Sequence, residues 1–249
     1  MIGTHLIQLG EIDSTNRYAR DLLATAPPEG TVVTALVQTA GRGRLDRRWQ
    51  SADGENLLAS VILYPTRPME EWGGLPLLAG LAAARVIRAM AGIDAVVKWP
   101  NDVLVRNHKL CGVLVESGRI GANAWAVVGI GINVNQQEFP GEYRLAPTSM
   151  AREAGHGFGV DDVRAALCGE MDALYVRWRA EGTAPILAAW KEAARMFGRM
   201  IVIDDGDNRR TARARDLGPD GSLLVEDAEG RVESVYAGDV SVRDQEEIP

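Results

Sequence analysis

Between residues 95 and 134 the chain contains a series of strand-like segments joined by very short connections. The segments are Ala95–Trp99, Asp102–Val105, Lys109–Glu116 and Ala124–Val134. The first connections are only Pro100-Asn101 and Arg106-Asn107-His108. A parallel crossover needs about a dozen residues or more, so strands joined this tightly are antiparallel neighbours. The sequence therefore predicts an antiparallel meander in the middle of the protein.

Further strands and several helices surround this meander. Strands are predicted at His5–Ile12, Thr31–Gln38 and Asn56–Tyr64. Helices are predicted after Asp13-Ser14-Thr15-Asn16, at Leu75–Met90, at Asp161–Trp178 behind an Asp161 cap, and from about Pro185 to Phe197. This mixture predicts an α+β fold with a mixed, largely antiparallel sheet flanked by helices.

The pattern changes after Gly198. Short strands are predicted at Met200–Ile203, Thr211–Asp216, Ser222–Val225, Val232–Tyr236 and Asp239–Val242. Turns rich in glycine, aspartate and asparagine separate them, which indicates a small β-barrel. We therefore expect a main domain at residues 1–197 and a small β domain at residues 198–249.

Composition excludes several classes of protein. The 27 Lys+Arg against 34 Asp+Glu give a net charge of -7, which argues against a surface that coats nucleic acid. Two cysteines, Cys111 and Cys168, are too few for a disulfide framework or a zinc site, and we expect both to be buried, reduced thiols. The sequence shows neither a signal-peptide pattern nor 18 uninterrupted apolar residues. A cytoplasmic protein without a membrane span is the expectation.

The segment Gly41–Trp49, here called the arginine loop, concentrates four arginines and two glycines in nine positions of an acidic protein. Glycine lets the backbone approach an anion, and the guanidinium group binds carboxylate or phosphate with two parallel hydrogen bonds. One interpretation is a mobile loop that closes over a negatively charged substrate. A solvated basic loop and an RNA-contacting segment are the alternatives.

Lys98-Trp99-Pro100-Asn101-Asp102 lies between two predicted strands. Pro-Asn favours a turn, which explains half of the motif structurally. A lysine and an aspartate on either side of a rigid turn are also suited to a nucleotide phosphate and a magnesium ion.

Lys109-Leu110-Cys111-Gly112-Val113-Leu114-Val115-Glu116 is the third motif. Strand alternation places Lys109, Cys111, Val113 and Val115 on one face. Lys109 then lies either in water at the strand end or in an anionic site, and Gly112 indicates close approach of a ligand or another backbone.

Gly129-Ile130-Gly131-Ile132-Asn133-Val134-Asn135 alternates glycine with apolar residues. This leaves one strand face bare and open to a flat group, or simply packed beneath a helix. The spacing is not that of a dinucleotide-binding fingerprint.

Taken in order, these motifs resemble the biotin–protein ligases. The resemblance rests on Asp13-Ser14-Thr15-Asn16, Gln38 before the Gly-Arg-Gly-Arg loop, Lys-Trp-Pro-Asn-Asp, Lys-Leu-x-Gly-x-Leu-x-Glu and Gly-Ile-Asn. It continues into the last 45 or so residues, whose Gly-Asp-Val-Ser-Val-Arg ending resembles the SH3-like C-terminal domain of that family. The implied fold is a class II synthetase-like catalytic domain followed by an SH3-like β-barrel.

The resemblance also implies roles for individual residues. Contacts to biotin are implied for Ser14, Thr15, Asn16, Gln38, the backbone of Arg42 and Gly43, Arg44, Lys109 and Gly112. ATP contacts are implied for Arg47, Lys98, Asp102 and Asn133. Arg44 and Lys109 would be catalytic, and Asp102 would bind Mg²⁺. Biotin, ATP and Mg²⁺ are thus the implied substrates and cofactor.

Two positions depart from the family pattern: Asp46 stands where the loop usually has glycine, and Asp239 where glutamate is usual. Members that repress their own operon carry a DNA-binding helix-turn-helix. Because four residues precede His5, we expect the enzyme-only type, with no DNA or membrane partner. A monomer or weak homodimer is expected.

The implied reaction joins biotin to ATP as biotinyl-5′-AMP and then transfers biotin to a lysine of a biotin carboxyl carrier protein. A lipoate–protein ligase is one alternative, disfavoured by the arginine loop and the C-terminal β domain. A non-catalytic sensor of biotin or nucleotide is another, disfavoured by the presence of Arg44, Asp102 and Lys109. Net charge disfavours an RNA-binding protein.

Overall fold

Twelve strands and five α-helices are found in the computed structural model, which describes residues 1–44, 47–204, 208–236 and 238–242. The strands are β1 (Leu6–Ile12), β2 (Val32–Gln38), β3 (Asn56–Leu63), β4 (Val96–Lys98), β5 (Asp102–Val105), β6 (His108–Ile120), β7 (Asn123–Asn133), β8 (Met200–Asp204), β9 (Arg209–Leu217), β10 (Leu223–Glu226), β11 (Val232–Val235) and β12 (Asp239–Val242). The helices are α1 (Thr15–Leu22), α2 (Gly74–Ala91), α3 (Met150–Ala154), α4 (Val160–Glu181) and α5 (Ala184–Ala193).

The first sheet has the strand order β1-β2-β3-β7-β6-β5-β4. Its β1–β2 pair is parallel and the other pairs are antiparallel. The predicted meander of β4 to β7 is therefore confirmed, and so is the mixed, largely antiparallel sheet flanked by helices.

Helices cover both faces of this sheet. On one face, Leu57, Ala59, Val61 and Leu63 of β3 belong to the main core together with α2 and α4. On the opposite face, Ile62 packs with Ala19 and Leu23 at the end of the sheet where α1 lies. Because α1 is short, the rest of that face is open to other groups.

Helix α2 is long and apolar enough to cross a membrane by length and composition alone. However, 67% of the apolar window in Met69–Ala91 is buried inside the protein, where α2 packs against α4 and α5. The apolar character of this helix is thus explained by its place in the core.

Two helix ends differ from the prediction. The N-cap of α4 is Gly159, so Asp161 is not the cap but lies in the first turn, where a carboxylate favours the helix dipole. Helix α5 ends at Ala193 rather than Phe197, because Ala194 is extended and forms a parallel bridge with Val97. The short helix α3 was not predicted; its Ser149 cap accepts a hydrogen bond from the Arg152 amide at 3.2 Å.

The strands predicted after Gly198 form one antiparallel sheet in the order β11-β10-β9-β8-β12. Apolar residues of this sheet join the same hydrophobic core as the first sheet. The two also meet through Trp99, whose indole Nε1 donates to Gly221 O at 3.0 Å. The domain boundary at residue 198 stays a prediction, and the second sheet begins at Met200.

Candidate active site

A cavity of about 390 Å³ lies on the α1 face of the first sheet, beside the second sheet. Every residue to which the sequence assigned a role lines it: Ser14, Thr15, Asn16, Gln38, Arg42, Gly43, Arg44, Arg47, Lys98, Asp102, Lys109, Gly112 and Asn133. The structure therefore brings together segments that lie more than a hundred residues apart in the chain. Asp46, the departure in the arginine loop, lies outside the described residues.

Glycines make the floor of the cavity flat. Gly112 pairs with Gly131 across β6 and β7, and Gly129 lies two residues before Gly131 on the same face. The indole of Trp49 lies directly on this floor, because a Cβ at Gly131 would be 2.5 Å from Trp49 Cε2 and one at Gly112 would be 2.9 Å from Trp49 Cζ3. The bare face does accommodate a flat group, and in this structure that group is the tryptophan of the arginine loop.

A hydrogen-bond network occupies one end of the cavity. Gln38 Oε1 accepts from the Thr15 amide at 2.7 Å and from Thr15 Oγ1 at 2.9 Å. The buried Ser60 hydroxyl lies 2.8 Å from Thr15 Oγ1 and 2.6 Å from Asn16 Oδ1. Because a backbone N–H only donates, the Gln38 group facing Thr15 is the oxygen, which leaves its amide nitrogen as a donor. This end is suited to a neutral polar ligand group.

Helix α1 begins within this network. Its N-cap is Ser14, but the Ser14 side chain makes no cap hydrogen bond. Ser14, Thr15 and Asn16, which predicted a helix start, therefore line the cavity, whereas Asp13 pairs with Arg17.

Cationic side chains cluster at the other end of the cavity. Lys109 Nζ lies 2.6 Å from Asp102 Oδ1, and Lys98 Nζ lies 3.7 Å from Asp102 Oδ2. The Lys109 contact is a short ion pair, so the Asp102 carboxylate lies between two ammonium groups. Burial lowers the pKa of Lys98, and attraction to Asp102 offsets part of that effect.

Lys109 reaches the cavity through a backbone irregularity. In the β5–β6 ladder Val103 pairs with Cys111 but Leu104 pairs with Lys109, so the register shifts by one residue. Leu110 and Cys111 both enter the core as a result. The prediction that Lys109 shares a face with Cys111 and Val113 is thus wrong: its Nζ lies close to Gly112, on the cavity side.

Arg44 lies between the two ends of the cavity. Its Nη1 donates to Asn101 Oδ1 at 3.3 Å, and Asn101 Nδ2 in turn donates to Val113 O at 2.6 Å. Burial lowers the pKa of Arg44, opposed by the charges of Asp239 and Asp102, and a guanidinium remains charged in any case.

The second sheet also contributes to the cavity. Asp239 of β12 accepts hydrogen bonds from Arg47 of the arginine loop and from Arg144, and Arg144 also lies 3.5 Å from Asp204. Sequence reasoning treated Asp239 as part of a domain ending and left Arg144 out. No local pattern distinguishes either residue, since only the packing of the two sheets brings them to the site.

Asn133 is buried, and its Nδ2 donates to Thr148 O at 2.9 Å. Its contact with ATP stays a prediction, because this hydrogen bond gives the side chain a structural partner. Trp49 and Asn101 belonged to quoted motifs but were assigned no role; both line the cavity.

The arrangement suits a ligand with a neutral polar head and a negatively charged tail that meets a second anion. Fixed positive charges in a partly dry cavity stabilise charge that develops during a reaction between two anions.

Comparisons with known proteins agree with this geometry. Residues 10–133 match the profile described as the Biotin/lipoate A/B protein ligase family, and residues 196–243 match the Biotin protein ligase C terminal domain.

Individual relatives extend the similarity over nearly the whole chain. The bifunctional ligase/repressor BirA of Bacillus subtilis is 34% identical over 97% of this chain and 75% of its own length. The biotin–[acetyl-CoA-carboxylase] ligase of Mycobacterium tuberculosis is 32% identical over 94% of this chain and 88% of its own.

Among solved structures, the biotin protein ligase of Aquifex aeolicus in complex with biotin and ATP superposes with a TM-score of 0.83. The two are 29% identical, and the match covers 96% of this chain and 99% of the other. Fold, cavity and relatives coincide, and the chain belongs to the biotin–protein ligases of the biotin/lipoate ligase family.

Proposed function

We propose that this protein joins biotin to ATP as biotinyl-5′-AMP with release of pyrophosphate, and then transfers biotin to a lysine of a biotin carboxyl carrier protein. One observation carries the proposal: a single cavity holds a neutral hydrogen-bond network at one end and a cluster of cations at the other. The carrier is the partner class that the biotin–[acetyl-CoA-carboxylase] ligase relatives suggest.

The neutral end is assigned to the ureido ring of biotin. A ureido group offers one carbonyl acceptor and two N–H donors. Gln38 presents an amide nitrogen donor, and Ser14 and Thr15 add hydroxyl groups; Asn16 lines the same space, and its amide bonds to Ser60 and Glu116. Arg42 and Gly43 border the same space, and Gly112 lies on the sheet beneath the Trp49 ring.

The cationic end is assigned to the reacting groups. A biotin carboxylate oxygen attacks the α-phosphorus of ATP, and the bond from that phosphorus to the bridging oxygen of pyrophosphate breaks. Both reactants are anions that repel one another. Arg44 and Lys109 supply preorganised positive charge at the carboxylate and α-phosphate, and Arg47 and Lys98 supply it along the phosphates.

Asp102 fits a magnesium site in which the protein supplies only one or two ligands. Mg²⁺ in nucleotide enzymes is commonly held by one or two carboxylates, substrate phosphates and water. The Asp102 carboxylate, which lines the cavity beside Lys98 and Lys109, matches this, and no cluster of three or more His, Cys, Asp or Glu side chains occurs among the residues that the structure describes. When bound there, the ion would neutralise phosphate charge, while Lys98 and Lys109 orient the carboxylate.

In the second step the neutral amine of the carrier lysine attacks the biotinyl carbonyl carbon. The bond from that carbon to the phosphate oxygen breaks, AMP leaves, and the amine loses its proton. No covalent enzyme intermediate is needed. The part of this chain in the step is to hold the mixed anhydride and keep water away from it.

We further propose a cytoplasmic enzyme that acts as a monomer or weak homodimer. Cys111 and Cys168 are free and buried, which is consistent with a reducing compartment.

The proposal is tested by incubating the protein with biotin, ATP, Mg²⁺ and a carrier domain, and measuring the mass of the carrier. We expect one biotinyl group per carrier, and none on a carrier whose target lysine is replaced by arginine. Transfer of lipoate in place of biotin would identify the other branch of the family. Biotin binding without pyrophosphate exchange would identify a non-catalytic sensor.

A further inference from the structure

Glu116 ends the Lys-Leu-Cys-Gly motif and is given no part in the proposed chemistry, yet its carboxylate connects three elements at the edge of the cavity. Oε2 accepts from Asn16 Nδ2 of α1 at 3.2 Å. Oε1 accepts from Arg42 Nη1 of the arginine loop at 3.0 Å, and Arg20 Nη1 of α1 lies 3.9 Å from the same oxygen. Glu116 itself belongs to β6.

We propose that Glu116 is a positioning residue for biotin binding: through Arg42 and Asn16 it holds the arginine loop and the start of α1 in the arrangement that the ligand needs. This inference rests on the proposed function, whose biotin site it deepens. Glu116 touches neither substrate in the proposal, so it acts through its two partners.

The backbone of the arginine loop explains why holding Arg42 matters. Arg42 forms an antiparallel bridge with Arg48, the Gly43 amide donates to Arg47 O at 2.7 Å, and the Trp49 amide donates to Gly41 O at 3.0 Å. The two ends of the loop are therefore joined by backbone pairing. An anchor on Arg42 fixes the Arg42-Gly43 backbone that borders the biotin space, and also the Trp49 ring on the glycine floor.

The second oxygen of Glu116 explains why Asn16 matters. Asn16 Oδ1 accepts from Ser60 Oγ at 2.6 Å, and Asn16 Nδ2 divides its bonds between Glu116 and Leu114 O. Glu116 thus helps to hold the amide that closes the Gln38–Thr15–Ser60 network. One carboxylate thus contacts both Arg42 of the arginine loop and Asn16 of the hydrogen-bond network.

The exposure of the pair limits the expected size of the effect. The side chain of Glu116 is 20% exposed and that of Arg42 is 49% exposed, so solvent screens the ion pair. Loss of the anchor is expected to weaken biotin binding several-fold without abolishing the reaction.

The test is a double-mutant cycle on the full chain, measured by biotin-dependent pyrophosphate exchange. Glu116→Gln and Arg42→Ala are each expected to raise KM for biotin about three- to tenfold, with little change in kcat. The double variant is expected to have a KM no higher than that of the poorer single variant, because both substitutions break the same Glu116–Arg42 interaction. Arg42→Lys, which keeps the charge, is expected to restore most of the affinity.

A matched control is the Arg85–Glu170 pair, which bridges α2 and α4 at 2.7 Å with side chains 42% and 30% exposed. Glu170→Gln and Arg85→Ala are expected to leave KM unchanged. Multiplicative effects of Glu116→Gln and Arg42→Ala, or an unchanged KM in both, would overturn the proposal.

Hydrogen exchange of the ligand-free protein provides a readout independent of activity. The amides of Gly43 and Trp49 are expected to exchange faster in Glu116→Gln than in wild type, whereas amides of the α2 core are not. Wild-type protein that performs no pyrophosphate exchange would refute the proposed function. The hydrogen-exchange rates of the Gly43 and Trp49 amides would still decide whether Glu116 anchors the loop. Equal exchange rates would show that it does not.

Discussion

Lys109 and Arg44 show how single side chains acquire a role from their surroundings. Both reach into one cavity, Lys109 beside Asp102 and Arg44 beside Asn101. Each is partly removed from water, which strengthens its field at a bound anion. Their importance for the reaction therefore depends on position rather than on residue type alone.

We expect Arg44→Ala to slow biotin-dependent pyrophosphate exchange by about 10²–10³, the usual effect of losing one preorganised donor of charge. The exchange rate at saturating biotin and ATP is the measurement. Arg85→Ala, on the far side of the sheet in α2, serves as the control and should react at the wild-type rate. An Arg44→Ala rate equal to that of the control would remove Arg44 from the catalytic group.

Lys109→Ala is expected to weaken biotin binding and to remove most of the activity, since it takes away the cation closest to Asp102. Lys191→Ala also breaks a short ion pair, with Asp216 at 2.7 Å, but that pair joins α5 to β9 and neither residue lines the cavity. Calorimetric titration with biotin compares the two. Equal affinities in the two variants would contradict the role given to Lys109.

Strands β6 and β7 show how an element creates space by omitting side chains. Gly112, Gly129 and Gly131 face the cavity, and their missing Cβ atoms are replaced by groups from elsewhere in the chain: Trp49 over Gly112 and Gly131, and Asn16 over Gly129. The arginine loop and α1 thus both pack against the glycine face, which is also a predicted contact surface for biotin.

Gly129→Ala tests this packing. A Cβ at Gly129 would clash with Asn16 Oδ1 and lie 2.8 Å from Asn16 Cγ, so Asn16 has to leave its bonds to Ser60 and Glu116. We expect a loss of about 1–3 kcal/mol in the free energy of unfolding, the usual effect of breaking buried hydrogen bonds.

Gly80→Ala is the matched substitution, because a Cβ there meets nothing within 4 Å in the middle of α2. It is expected to stabilise the protein by about 0.5–1 kcal/mol through helix propensity. Urea unfolding of both variants provides the comparison. If both substitutions changed the free energy of unfolding equally and in the same direction, Asn16 would not be confined by Gly129.

At the scale of the whole molecule, the cavity is shared between the two sheets. Asp239 comes from β12, while Arg47 and Arg144 come from segments that follow the first-sheet strands β2 and β7. Burial raises the pKa of Asp239, but the hydrogen bond from Arg47 and the charges of Arg144, Arg47 and Lys98 outweigh it, and the pKa lies below its usual value.

This shift predicts a pH dependence with a definite sign. Because the folded pKa of Asp239 is depressed, its stabilisation is fully present above the unfolded pKa of about 3.9 and is lost as pH falls through the folded value. Asp239→Asn is therefore expected to lower the free energy of unfolding at pH 7. The difference from wild type should shrink as the pH is lowered below about 4.

Urea unfolding at several pH values measures this difference. A gap between wild type and Asp239→Asn that stayed constant from pH 7 into acid would contradict the proposed ion pairs. Asp94→Asn offers a control, since Asp94 pairs with Arg195 at 2.5 Å but is 60% exposed. Its pair is expected to contribute little at any pH.

Sequence alone determined most of the helices and strands, α3 excepted, and the chemical inventory of this protein. Strand alternation and short turns specify an antiparallel meander because both act over a few residues. The chemical character of the arginine loop and of the Lys-Trp-Pro-Asn-Asp turn likewise follows from their residue types alone. Each residue to which the resemblance assigned a role lines one cavity.

Tertiary structure decided what depends on partners distant in the chain. The register shift that turns Lys109 toward the cavity follows from how β5 and β6 pair, and no alternation rule anticipates a bulge. Asp239 and Arg144 enter the site because the second sheet packs beside the first. Trp49 and Glu116 become part of the site because Trp49 lies over Gly112 and Gly131 and Glu116 binds Arg42, and each of these contacts joins residues that are distant along the chain.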